Sequence, residues 1–144
     1  MQAIRSFLIV LFMAAASTAV AQQTISISEL VNTKWRVDNN LVSDYDEYTL
    51  TEIIWKRKDG SSFKYPYYLT DTPVTSYDKS AFDYSKVGKS KKGSYMVCIN
   101  EKMGIVYCSS IESFDKKKGI FVIKVVTQGL IGASGGIERY KMVK

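Results

Sequence analysis

Few side chains in this sequence could do chemistry, and the type that is missing narrows the options most. There is no histidine, which removes the commonest general base, the commonest metal ligand and every Ser–His or Cys–His nucleophile pair. Carboxylates, tyrosines, lysines, hydroxyls and two cysteines remain. Glu52 stands out among the carboxylates because it interrupts the alternating run Tyr48-Thr49-Leu50-Thr51-Glu52-Ile53-Ile54. A carboxylate on the apolar face of a strand is costly without a hydrogen-bonding or charged partner. Placed there, it would orient a polar or cationic group inside an apolar pocket. Alternatively, an open end of the fold lies beside Glu52 and the side chain meets solvent.

Other clusters do not match a chemical template. Asp44, Asp46 and Glu47 could attract calcium, but their spacing departs from the twelve-residue calcium loop, so they read as a solvated loop. The segment Gly129-Leu130-Ile131-Gly132-Ala133-Ser134-Gly135-Gly136 lacks both the strand-then-helix context and the Lys-Ser/Thr ending of a phosphate loop. It reads as a link between two strands. No carboxylate pair has a context that signals glycoside hydrolysis. The expectation is a protein without catalytic residues, bound metal or cofactor.

Export governs how the two cysteines are read. The chain opens with Arg5, an apolar stretch from Phe7 to Met13 and the small-x-small ending Ala19-Val20-Ala21, the three parts of a secretory signal. Residues 1–21 are therefore expected to be removed after Ala21, leaving 22–144 as one domain in the periplasm or outside the cell. An oxidising compartment favours a bond between Cys98 and Cys108. A three-residue hairpin loop, Lys102-Met103-Gly104, places the two directly opposite each other within disulfide range. A four-residue loop would put them on opposite faces and forbid the bond.

The formal net charge is +6, and loss of Arg5 with the leader leaves +5. The basic residues gather at 56–58, 86–92 and 116–118, each beside a glycine, and read as solvated turn tips. No helix carries a basic stripe, so nucleic acid is not an expected partner. No segment beyond the leader is long and apolar enough to span a bilayer.

The elements that would position these residues are strands. After the leader, period-two alternation runs between Gly, Asn and Asp punctuation. The expected strands are 34–38, 47–57, 62–70, 81–86, 94–100, 105–113, 120–127 and 137–143, with one or two helical turns at 26–31. Lys58-Asp59-Gly60-Ser61 is a two-residue hairpin signal that aligns Ile54 with Tyr65, Glu52 with Tyr67 and Leu50 with Leu69. A three-residue loop ending at Gly119 aligns Val125 with Ile111 and Ile123 with Ser113. These registers turn Leu50, Glu52, Ile54, Tyr65, Tyr67, Tyr95, Val97, Ile99, Tyr107, Ile111 and Ile123 toward one interior and leave both cysteines and Trp55 outside. Short links and eight strands predict an all-β, antiparallel up-and-down barrel.

Three stretches carry a family likeness. Ser28-Glu29-Leu30-Val31 runs into Trp35. Tyr67-Tyr68-Leu69-Thr70-Asp71 is followed by Phe82-Asp83, Lys86-Val87-Gly88 and Gly93-Ser94-Tyr95-Met96-Val97. Glu138-Arg139-Tyr140-Lys141-Met142 closes the chain. Together they resemble the lipocalin-like (calycin) family, particularly its small exported bacterial members. Such proteins open with Gly-x-Trp and pack a late Arg across that Trp. Thr33 replaces the Gly here, and Trp35 with Arg139 would form the lid of the closed end. Fatty-acid-binding relatives use Arg-x-Tyr, whereas Arg139 and Tyr140 are adjacent and point to opposite faces. The resemblance implies a non-catalytic protein holding a small, largely apolar ligand against Glu52, Ile54, Tyr65, Tyr67, Tyr95 and Tyr107. The other reading is a protein-interaction or inhibitor module with a filled core, using Trp55 and the 71–80 loop.

Overall fold

The computed structural model describes residues 22–37, 40–127 and 136–144. The leader and its cleavage site, and all of the glycine-rich link except Gly136, lie outside the described residues. The elements are β1 (Ile25–Ser26), α1 (Ile27–Leu30), β2 (Thr33–Val37), β3 (Ser43–Tyr48), β4 (Glu52–Arg57), β5 (Ser62–Thr70), β6 (Lys92–Gly93), β7 (Tyr95–Asn100), β8 (Ile105–Asp115), β9 (Ile120–Thr127) and β10 (Ile137–Met142). Eight of the strands close an antiparallel barrel in the order β10-β2-β3-β4-β5-β7-β8-β9. The barrel is up-and-down throughout, and pairing of β10 with β2 removes the sheet edges. Strands β1 and β6 form a separate two-stranded ribbon. Among the described residues, no helix is long and apolar enough to cross a membrane.

Eight strands were expected and eight form the barrel, through two compensating differences. The expected strand 47–57 is two strands, because the backbone of Thr49 turns back on Glu52 and the Thr49 hydroxyl accepts the Glu52 N–H at 2.9 Å. Leu50 therefore sits exposed on a turn instead of facing the interior. The expected strand 81–86 is replaced by two short 3-10 turns, Lys79–Ala81 and Tyr84–Lys86. Asp78 and Asp83 each accept the N–H of a serine two residues on, and such Asp side chains favour turns over sheet ladders.

Every expected hairpin loop proves one residue longer. Lys56 pairs with Ser62, so Lys58-Asp59-Gly60 form a three-residue loop. Asn100 pairs with Ile105 and Asp115 with Ile120, leaving four-residue loops at 101–104 and 116–119. Gly60, Gly104 and Gly119 do take the positive φ that such loops need. Because side chains alternate with period two, each added residue turns one strand over relative to its neighbour.

One end of the barrel is plugged. Trp35 is fully buried against Phe114 and Phe121, at 5.4 Å between ring centroids in each case. Ile27 and Leu30 of α1 join Tyr48, Tyr67 and Leu69 in the same cluster. A bulge at Glu112 shifts the alternation of β8, so that Phe114 as well as Ile111 faces inward. The departure from Gly-x-Trp has a local reason. The Thr33 hydroxyl accepts the Trp35 indole N–H at 2.7 Å and itself donates to the Leu30 carbonyl, so the buried indole is satisfied.

A second apolar cluster lies outside the barrel. Tyr68, Val97, Ile99, Val106 and Cys108 point outward from β5, β7 and β8 and are covered by Phe82 of the long 71–91 connection. That connection is pinned by hydrogen bonds from the Val106 N–H to the Tyr77 carbonyl and from the Thr127 hydroxyl to the Val74 carbonyl. Strand β7 is thus covered on both faces. Gly93 shows how closely the chain folds back here: a Cβ at that position would lie 2.4 Å from the Thr70 nitrogen.

Candidate functional site

Between the aromatic plug and the opposite end, marked by Asn40 and Ser43, the barrel encloses a cavity of about 350 Å³. Its walls follow from cross-strand registers. Trp35, Asp46 and Trp55 are direct partners across β2, β3 and β4, so all three lie on the inner face. Two residues further along, Tyr48 partners Ile53, which partners Tyr65. From the far wall, Cys98 partners Tyr107 and Met96 partners Ser109. Glu138 and Tyr140 enter from β10, where they pair with Ile123 and Phe121.

Two carboxylates thus meet an interior that is mostly ring and aliphatic. Burial raises the Asp46 carboxyl from its ordinary 3.8 to about 7, and the charge of Glu138 adds to that rise. Asp46 is half-buried by exposed surface, but what it faces is the cavity. Among the described residues no hydrogen bond reaches its carboxylate, and no Lys or Arg lines the cavity. Glu138 differs, because the Tyr140 hydroxyl donates to its Oε2 at 2.6 Å. Burial also pushes the Cys98 thiol up to about 12, which suppresses the thiolate that nucleophilic or redox chemistry requires. Desolvation likewise raises Tyr48 and Tyr140. Among the described lining residues no nucleophile is activated, and aromatic walls surround one unpaired acid. Among the described residues no group of three or more metal-ligating side chains forms.

The expected lining set is only partly assembled. Tyr65 and Tyr107 line the cavity. Tyr67 is inward but lies in the plug, fully buried, with its hydroxyl donating to the Thr49 carbonyl at 2.7 Å. Glu52 and Ile54 are corrections: the longer β4–β5 loop turns them outward, opposite Pro66 and Lys64. The same slip brings Trp55 inward, where its indole N–H donates to the Ser43 hydroxyl at 3.0 Å. Tyr95 and Val97 belong to the outer cluster, again because of loop length. Cys98 and Cys108 are both free. Val97, not Cys98, stands opposite Cys108, and side chains that leave opposite faces of a sheet cannot bridge. The lid of Trp35 and Arg139 does not form either. Trp35 faces the interior, while Arg139 shares the exposed face of β10 with Ile137 and Lys141.

Asp46 and Glu138 were missed. Asp46 was read with Asp44 and Glu47 as one solvated loop, yet β3 separates them. Asp44 is held outside by Arg36 at 2.8 Å, and Asp46 points in. Counting back in twos from the apolar Tyr48, and from Met142 through Tyr140, would have found both acids. At the outer end Arg57 lies over the Trp55 ring at 5.6 Å and 3.8 Å from Asp59. Comparison with protein-family models, with curated proteins and with solved structures gives no match to this chain.

Proposed function

We propose that this chain is an exported, non-catalytic binding protein of lipocalin-like type that holds a small, largely apolar molecule inside its barrel. The observation that supports this reading is the cavity itself, about 350 Å³ between an aromatic plug and the far end. Ligand pockets commonly begin at roughly 300 Å³ and are lined by apolar and aromatic side chains with a few polar groups. Ile53, Trp55, Met96, Ile123 and Val125 provide the apolar walls. At a liquid volume of roughly 30 Å³ each, the space equals about a dozen waters, whose replacement by an apolar body is favourable. Such a cavity is also a stability liability, since unfilled interior space costs a fold its packing contacts. A binding role accounts for keeping it open.

The test is a fluorescence titration with N-phenyl-1-naphthylamine, a neutral apolar dye. Saturable enhancement of the dye, with transfer from Trp55 in the cavity wall, is the expected result. A linear response without saturation would defeat the reading.

A further inference from the structure

We infer that the ligand carries a protonated amine on its apolar body and that Asp46 receives that ammonium group beside Trp55. This rests on the proposed binding role and narrows it to a ligand class. Three independent observations lead to it. First, Asp46 projects into a cavity, not merely toward other acids, and among the described residues its carboxylate has no hydrogen bond and no cation lines the space. Second, its cross-strand neighbour Trp55 lines the same cavity, and indole ring faces attract cations; its other neighbour, Trp35, is sealed in the plug. Third, the second acid in the cavity, Glu138, is already engaged by the Tyr140 hydroxyl, so Asp46 is the acid left for a ligand. Two carboxylates sharing an apolar interior repel an anionic ligand and are relieved by a cationic one. A carboxylate ligand would instead seek Arg57, stacked over Trp55 at the outer end.

Charge exchange gives the site a pH dependence. The titratable groups facing the cavity around Asp46 are Glu138 and Tyr140 from β10, Tyr48 from β3, Tyr65 from β5, Cys98 from β7 and Tyr107 from β8. Strand β4 adds the Arg57 guanidinium over Trp55 at the outer end, and among the described residues β2 and β9 contribute none. Burial raises the tyrosines and the thiol further above neutrality, so they stay uncharged while Asp46 titrates near 7. An ammonium ligand binds the ionised carboxylate, and at acid pH a proton must leave Asp46 first.

The experiment compares octylamine, octanol and octanoate, equal in chain length and different in head group, by displacement of N-phenyl-1-naphthylamine from the full protein. Octylamine should bind at least tenfold tighter than octanol at pH 8, and octanoate more weakly than either. Alkylammonium stays charged from pH 5 to 8, as a lysine side chain does. Its affinity should therefore fall about a hundredfold over that range, in step with the ionised fraction of Asp46. Asp46→Asn should remove at least tenfold in octylamine affinity and leave octanol unchanged, and Glu138→Gln should have the smaller effect. Octanoate binding as tightly as octylamine, or Asp46→Asn binding octylamine like the parent, overturns this inference while the binding role stands. No displacement by any of the three, with no saturable dye binding, overturns both.

Discussion

Asp46 concentrates the electrostatic strain of this protein in one side chain. Its carboxyl is raised from 3.8 to about 7 by desolvation and by Glu138, so the folded protein binds that proton more tightly than the unfolded chain does. Stability from this group is therefore full below pH 4, declines as pH rises from about 4 to about 7, and is level above. Chemical denaturation should show Asp46→Asn to be more stable than the parent at pH 8, by on the order of 2–4 kcal/mol. The advantage should vanish near pH 4. At Gly93 the limit is steric: a methyl group would press on the Thr70 backbone, and Gly93→Ala should cost about 2–3 kcal/mol in the same measurement. The thiols are a third case. Cys98 and Cys108 face opposite sides of the sheet. Cys108 is buried and Cys98 is half-buried in the cavity wall, with its thiol pushed up to about 12, so Ellman titration of the native protein should be slow and should reach two thiols only after unfolding. Immediate loss of both thiols on air oxidation would contradict that separation.

Strand order and closure were legible in the sequence because glycine and aspartate punctuation survives any error of register. The faces of the strands were not. Gly60, Gly104 and Gly119 were correctly expected to close the hairpin loops, and each takes a positive φ, but nothing in the residues fixed where each loop began. One extra residue in front of each glycine reversed Glu52, Ile54, Tyr95 and Val97. Alternation could not correct this in β7, where Tyr95-Met96-Val97-Cys98-Ile99 is apolar on both sides. A strand covered on both faces reads as a continuous run, and the cover was the 71–91 connection, itself mistaken in part for a strand. Among the residues expected in a shared interior, Tyr65 and Ile123 are inside, Leu50 is on a turn and Val97 is outside. Phe82 is the keystone of the cover, its ring tilted against Tyr68 at 5.0 Å between centroids. Phe82→Ala should lower stability by about 3 kcal/mol and make Cys108 reactive to thiol reagents in the folded protein, with Cys98 still protected.

At the scale of the molecule, a plugged end and a hollow end share one barrel. The plug of Trp35, Phe114 and Phe121 supplies rigidity, and the hollow half gives up packing contacts in return for space. Filling that space should therefore stabilise the fold and end binding. Ser109→Phe, which adds a ring inside the cavity, is expected to hold or raise the melting temperature while abolishing dye binding. The central claim is that this interior, and not the outer apolar cluster, is where a small molecule goes. Methyl-resolved NMR during an octylamine titration tests it most directly. The account predicts saturable shifts at the interior methyls of Ile53, Met96, Ile123 and Val125, with Val97, Ile99 and Val106 unmoved. Shifts confined to the outer three, or spread equally over both sets, would contradict it.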